Sequence, residues 1–274
     1  AWAAMRVGAG SGERMDLLQT ITSLGSGAAV GFVLGLIGRG GSILATPLLL
    51  YVVGIAQPHV AIGTGALAVS ANAYANFATH AFRRNVCWTC AIVFALVGTL
   101  GALGGSTLGK AIDGQKLLFL FGLVMVVVGV AMLRPRRERD AAHQVTTPRN
   151  CVRAAVAALL AGGASGFFGI GGGFLIVPAL ILATGMSMSN AVGSSLLAVG
   201  TFGLATALNY AASGLVDWGI AGLFIAGGLV GGLLGTRMSL RLGARRNTLA
   251  RIFAAIVFVV AAYILYRSGS ALLA

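Results

Sequence analysis

The chain has 274 residues, 58% hydrophobic and 9% charged, with a mean hydropathy of +0.94. An ordinary soluble domain carries about 25% charged residues, so a water-soluble globule is excluded and the class is a polytopic helical membrane protein. The formal charge of +13 reads as a topology signal, because cationic loops are retained on the cytoplasmic side of a membrane. The basic residues punctuate apolar runs and form no stripe, which argues against nucleic acid as a partner.

Residues 1–16 mix Gly and Ala with Glu13 and Arg14, and the sequence does not open on Met. They are read as an N-terminal tail, non-native in part, outside the fold. Residues 17–37 have the length of a signal-peptide core, but their glycine pattern returns inside the chain, so they are read as a retained helix. Five apolar elements follow in order: 17–37, 42–54, 60–80, 87–109 and 116–133. About 20 helical residues are needed to cross roughly 30 Å of hydrocarbon, and the second element would cover only about 20 Å. Residues 42–54 are therefore expected to form a half-helix or a re-entrant segment.

An internal repeat runs through the chain. A shift of 131 superposes Gly31, Gly35, Gly38, Gly40, Gly41, Pro47 and Gly54 on Gly162, Gly166, Gly169, Gly171, Gly172, Pro178 and Gly185. After a one-residue gap, a shift of 130 pairs Ala61 with Ala191, Gly63 with Gly193, Trp88 with Trp218, and Gly98, Gly101 and Gly105 with Gly228, Gly231 and Gly235. The expected organisation is repeat one over 17–133, a basic linker over 134–153 and repeat two over 154–274. Loop charge tests the relative orientation of the halves. Arg83 and Arg84 follow the third element of repeat one, whereas residues 213–217 in repeat two hold no cation. Arg237, Arg241, Arg245, Arg246 and Arg251 precede the last helix, where repeat one has only Lys110, Asp113 and Lys116. That swap predicts two inverted-topology repeats, a cytoplasmic linker and both termini outside.

The six acids, Glu13, Asp16, Asp113, Glu138, Asp140 and Asp217, all fall in tails, loops or helix edges. Cation sites and proton relays in membranes usually rest on intramembrane carboxylates, so cation transport is disfavoured. Arg39, in Ile37-Gly38-Arg39-Gly40-Gly41-Ser42, is flanked by apolar elements on both sides. Two readings stand: an anion-binding Arg facing a watery cavity, or an interfacial turn whose Arg reaches headgroups. The matching turn, Gly169-Ile170-Gly171-Gly172-Gly173, lacks the Arg but keeps the glycines. Glycines permit φ > 0 and close main-chain approach, and the half-helix after each turn offers unpaired N–H donors at a positive dipole end. Paired interrupted helices of this kind form the substrate site in many transporters; for any single glycine cluster, close helix packing is the plainer reading.

The segments GLIGRGGSILATPLLL and GFFGIGGGFLIVPALI, each followed by a small-residue and hydroxyl stretch (AIGTGALAV and AVGSSLLAV), resemble the duplicated signature of the TauE/SafE sulfite exporter family. The likeness runs from about Gly31 to the end. It implies a bacterial inner-membrane permease for sulfite, organosulfonates or other small sulfur compounds, with cargo differing among members. Arg39 against Ile170 and Ser42 against Gly173 depart from the pattern. Carried over, the motif marks Gly38, Gly40, Gly41 and Pro47 in one half and Gly169, Gly171, Gly172, Gly173 and Pro178 in the other.

Thr64, Ser194 and Ser195 are candidate ligands, since hydroxyls can donate to oxyanion oxygens without another buried charge, although such groups also bond helix to helix. Asn72, Asn76 and His80 share one face of the third helix at four-residue spacing, and Thr206 and Tyr210 answer the last two in repeat two. They are candidates for a lined pathway or proton coupling. Cys87 and Cys90 form a C-x-x-C without a second ligand pair, so packing is the stronger reading and no metal is expected. No GK[ST] loop ends a glycine-rich stretch, so no nucleotide or other cofactor is expected. The expected activity is export of a small sulfur oxyanion, sulfite or an organosulfonate such as sulfoacetate, by alternating access, and not an enzyme's. The alternatives are an anion channel, an uptake permease for another small sulfur compound, or a non-transporting scaffold or receptor. The expected partners are that anion and the lipid bilayer, with a homo-oligomer left open.

Overall fold

In the computed structural model, residues 17–37, 41–82, 86–133, 148–169, 173–184, 186, 188–241 and 246–273 are described. Among them there is no strand. Helix α1 spans Leu17–Ile37. A 3₁₀ turn, Gly41–Leu44, leads into the short α2, Ala45–Tyr51. Then come α3 (Pro58–Phe82), α4 (Trp88–Ala111) and α5 (Gly114–Leu133). The second half holds α6 (Pro148–Phe168), α7 (Gly173–Thr184), α8 (Met188–Ala211), α9 (Trp218–Arg241) and α10 (Arg246–Leu273). Local chemistry sets several ends. Pro58 and Pro148 open α3 and α6, where the missing N–H is no loss. The Asp113 carboxylate accepts from the Gln115 N–H at 3.0 Å, and that of Asp217 from the Ile220 N–H at 3.0 Å, so two of the six acids act as helix caps. Gly54 and Gly214, at φ +86° and +70°, make the turns after α2 and α8.

Leu17–Leu36, Trp88–Ala111, Asn190–Ala211 and Trp218–Met238 are long and apolar enough to cross a membrane. Outward faces are apolar as well: Leu96, Leu100 and Leu108 on α4 and Val230, Leu233 and Leu234 on α9 are all more than half exposed. A water-facing surface does not carry such stripes; a lipid-facing one does. The chain is an all-α polytopic membrane protein.

The helices pack through glycine. Gly27, Gly31 and Gly35 of α1 lie against Phe224, Gly228 and Gly232 of α9, where any Cβ would overlap a carbonyl oxygen. Gly98, Gly101 and Gly105 of α4 meet Ala158, Leu159 and Gly163 of α6 in the same manner. Lipid gives helices no hydrophobic reason to associate, so backbones must approach closely to gain dispersion contacts, and four-residue glycine spacing permits it. The main packing pairs exchange with the halves: α1 with α9 answers α6 with α4, α3 with α9 answers α8 with α4, and α3–α8 and α5–α10 answer themselves. Ser70 donates to the carbonyl of Gly200, its own sequence counterpart, at 2.7 Å.

The order of these contacts fixes helix directions. α1 runs parallel to α9, and α4 to α6, since contact positions rise together. Asn72 lies against Gly228 and Asn76 against Gly232, so α3 is also parallel to α9. Gly63 meets Tyr210 and Gly203 meets Ala66, so α3 and α8 are antiparallel. With α1 and α3 parallel, the chain between them returns across the bundle. The segment expected over 42–54 does so as a broken element, a 3₁₀ turn and two turns of helix followed by non-helical chain to residue 57.

Candidate functional site

The first broken helix is buried throughout its start. Gly41, Ser42, Ile43 and Leu44 are all buried, and Gly41 is seated against Val30 and Leu34 of α1. Ser42 and Thr46 stand one turn apart, 0% and 2% exposed, and neither hydroxyl has a hydrogen-bond partner. Thr46 Oγ1 lies 3.7 Å from the space above Gly65 on α3. Seven residues further along the same face of α3 is Asn72, 0% exposed, with both carboxamide atoms unpartnered. Gly31 and Asn72 both adjoin Gly228, so Asn72 lies at the depth where Gly41 enters the bundle. Each buried polar group without a partner costs about 1–3 kcal/mol, so this cluster is expensive unless something else binds there. The 3₁₀ turn also touches α7, which brings the two broken helices together inside the bundle.

Gly38, Arg39, Gly40, Gly171 and Gly172 lie outside the described residues. Gly173 opens α7 and Gly169 ends α6 at φ +65°, beside the Ile62 side chain. Pro47 is buried in α2, and Pro178 stands in α7. Thr64 Oγ1 accepts from the Asp217 N–H at 3.0 Å, and Ser194 Oγ from the Cys87 N–H at 3.0 Å. These two bonds are exchange counterparts, each tying one half's third helix to the loop before the other half's fourth. Ser195 donates to the Val192 carbonyl at 2.8 Å. Asn76 donates to the Asn72 carbonyl at 2.8 Å and faces Thr236 on α9, with 3.4 Å between its Oδ1 and the hydroxyl. His80 stands in α3, its side chain outside the described set. Tyr210 is buried with an unpartnered hydroxyl, its ring 6.2 Å from that of His59. Thus Asn72 is set in the glycine notch of α9, whereas Thr64 and Ser194 are held at opposite ends of the bundle.

Sequence reasoning missed Thr46, whose signal was available: it follows Ser42 by one helical turn, and its counterpart is Val177. It also missed Ser165, a buried hydroxyl without a partner, and the cleft at the outer end of α2. That cleft, about 440 Å³, is lined by Tyr51, Pro58, Gln115, Arg267 and Ser270, and the Arg267 guanidinium sits 5.9 Å from the Tyr51 ring centroid. Lys110 donates to the Asn209 backbone carbonyl, to its side-chain oxygen and to the Ser213 hydroxyl at 2.8–3.0 Å, which pins α4 to α8.

Glycine-packed apolar helices, with two broken helices meeting inside the bundle, define a multi-pass membrane protein of the transporter class. The chain belongs to the sulfite exporter TauE/SafE family, whose pattern matches residues 23–264. It is 59% identical over 261 residues to a "Probable membrane transporter protein" of Xylella fastidiosa (strain 9a5c), covering 95% of this chain and all of that relative. It is 23% identical to "Probable membrane transporter protein YunE" of Bacillus subtilis (strain 168), over 88% of this chain and 95% of the relative. A "Probable membrane transporter protein" of Haemophilus influenzae is 27% identical over 70% of this chain and 73% of its own. No solved structure matches the chain. These relatives make the protein a membrane transporter and point away from an enzyme.

Proposed function

We propose that the protein exports a small sulfur oxyanion, sulfite or an organosulfonate such as sulfoacetate, across the bacterial inner membrane by alternating access. The observation that carries this reading is the first broken helix, which starts inside the bundle with Ser42 and Thr46 buried and unpartnered and touches its counterpart α7. Backbone N–H groups at the start of each broken helix replace the hydration of the anion. Contact order makes residue 37 level with residue 78 of α3, one turn short of that helix's end. Arg39, in the turn between α1 and the first broken helix, supplies positive charge to the anion.

Helix direction supports inverted repeats: α1 and α3 run one way, while α6 and α8, their counterparts, run the other. The end where α1, α3, α5 and α9 finish also carries Arg237 and Arg241 and receives the linker, and it is read as cytoplasmic. Both termini then lie outside. Rocking of one half against the other about the Ser70–Gly200 bond exposes the site to each side in turn. A thermal-shift panel in detergent checks the substrate class: sulfite or sulfoacetate is expected to raise Tm, with taurine, thiosulfate and sulfate as comparators. No shift with any sulfur oxyanion would contradict it.

A further inference from the structure

The cleft of about 440 Å³ lies where α2 and α10 finish and α3 and α5 begin, the end of the bundle read above as external. Cations are not retained on that side of a membrane, so Arg267 is no topology marker. Its guanidinium lines the cleft, 5.9 Å from the Tyr51 ring centroid, with Nη1 3.4 Å from the Tyr263 hydroxyl. The Tyr51 and Tyr263 rings meet edge to face at 4.9 Å. Among the described residues no acid lines the cleft. Asp113, two residues before Gln115, spends its carboxylate on the Gln115 and Lys116 N–H groups at 3.0 and 3.3 Å. Below the cleft the surface turns apolar. Arg267, Tyr263 and Val259 are spaced by four and share one face of α10, with Tyr263 46% and Val259 70% exposed. A cation and tyrosines at the head of a lipid-facing stripe repeat the order of a phospholipid, a charged head and then hydrocarbon.

We infer that this cleft binds one anionic phospholipid, with the phosphodiester on Arg267, a hydroxyl-bearing head against Gln115 and Ser270, and an acyl chain along the Val259 face of α10. The planar guanidinium fork matches two phosphate oxygens at once. Ser270 Oγ donates to the Arg267 carbonyl at 2.9 Å, and its oxygen can still accept from a head hydroxyl. The Gln115 carboxamide can donate and accept. An ammonium head such as ethanolamine would need a carboxylate, and the lining supplies none; a glycerol head needs only partners for its hydroxyls. A soluble glycerophosphate shares the phosphate chemistry but has no chain to lay on the apolar stripe. The bound lipid bridges Tyr51 of α2, at the outer end of the first broken helix, to the paired helices α5 and α10. The identity of the exported solute does not enter this inference.

The test is native mass spectrometry of the purified full chain in detergent, titrated with phosphatidylglycerol, with phosphatidylethanolamine of the same acyl chains, and with soluble glycerol 3-phosphate. The variants are Arg267→Gln and, as a control, Lys116→Gln, which removes an exposed cation that does not line the cleft. Arg267 is exposed and its one side-chain hydrogen bond is long, so Arg267→Gln is expected to fold with wild-type Tm. Wild type and Lys116→Gln are expected to take up one tightly held phosphatidylglycerol with the same Kd. Arg267→Gln should weaken that first lipid at least about tenfold, and phosphatidylethanolamine should bind wild type at least about tenfold more weakly. Phosphatidylglycerol should also raise the Tm of wild type but not that of Arg267→Gln. Equal binding by wild type and Arg267→Gln, equal loss in Lys116→Gln, or equal affinity for the two lipids would overturn the site. Glycerol 3-phosphate bound as tightly as phosphatidylglycerol would make the cleft a site for soluble phosphates and overturn the lipid assignment.

Discussion

Replacing Gly162 by valine is expected to leave no folded protein in the membrane. A Cβ at this position would run into the carbonyl oxygen, carbonyl carbon and Cα of Gly98 on α4. All three are backbone atoms held by helical hydrogen bonds, so no rotamer change relieves the overlap and the helices must separate. Overpacking a core typically costs about 1–3 kcal/mol, and separation of α4 from α6 adds the loss of contacts along Gly101, Gly105 and Gly109. Gly31→Val does the same between α1 and α9 at the carbonyl of Gly228. Gly104 and Gly222 provide the contrast, since a Cβ there meets nothing within 4 Å. Alanine at either is expected to raise stability by about 0.5–1 kcal/mol through helix propensity. Size-exclusion profiles and Tm in detergent read both outcomes; a monodisperse Gly162→Val protein with wild-type Tm would contradict the packing account.

Arg39→Ala is expected to lower sulfite uptake into inside-out vesicles to the level of vesicles lacking the protein, with normal amounts of protein in the membrane. A hydrogen bond from a charged donor is worth about 1.5–3 kcal/mol, and 3 kcal/mol is roughly a hundredfold in affinity. The sequence holds no acid between Asp16 and Asp113. Arg39→Lys keeps the charge but loses the planar fork that grips two oxygens at once, and intermediate uptake is expected. Wild-type uptake by Arg39→Ala would make the residue a topology marker.

The helical plan is legible in the sequence because apolar length and glycine spacing are one-dimensional signals. The element expected over 17–37 is α1 as Leu17–Ile37, and that over 87–109 is α4 as Trp88–Ala111. The glycine repeat is legible for a physical reason. Gly31 and Gly162, superposed by the shift, do not touch, but each is the point where its helix meets the other half: Gly31 at Gly228, Gly162 at Gly98. A requirement for absent side chains leaves a mark that duplication preserves. The second element is legible only as short. Its division into a 3₁₀ turn and α2 depends on burial of Gly41 against α1.

The site is legible only in part, because its polar groups matter through contacts that sequence distance hides. Thr64 is a plausible oxyanion ligand by type, yet its oxygen is engaged by the Asp217 N–H from 153 positions away. The even spacing of Asn72 and Asn76 reads as a pathway stripe. In the structure Asn76 turns back onto the Asn72 carbonyl, while the Asn72 carboxamide is left without a partner in the glycine notch of another helix.

Sulfite uptake into inside-out vesicles containing the wild-type protein tests the central claim most directly, because export from the cell appears there as accumulation. Uptake is expected to exceed that of vesicles lacking the protein, to saturate with sulfite concentration, and to be competed by methanesulfonate. Uptake no greater than in vesicles lacking the protein would contradict the oxyanion reading, and uptake that rises without saturation would contradict alternating access.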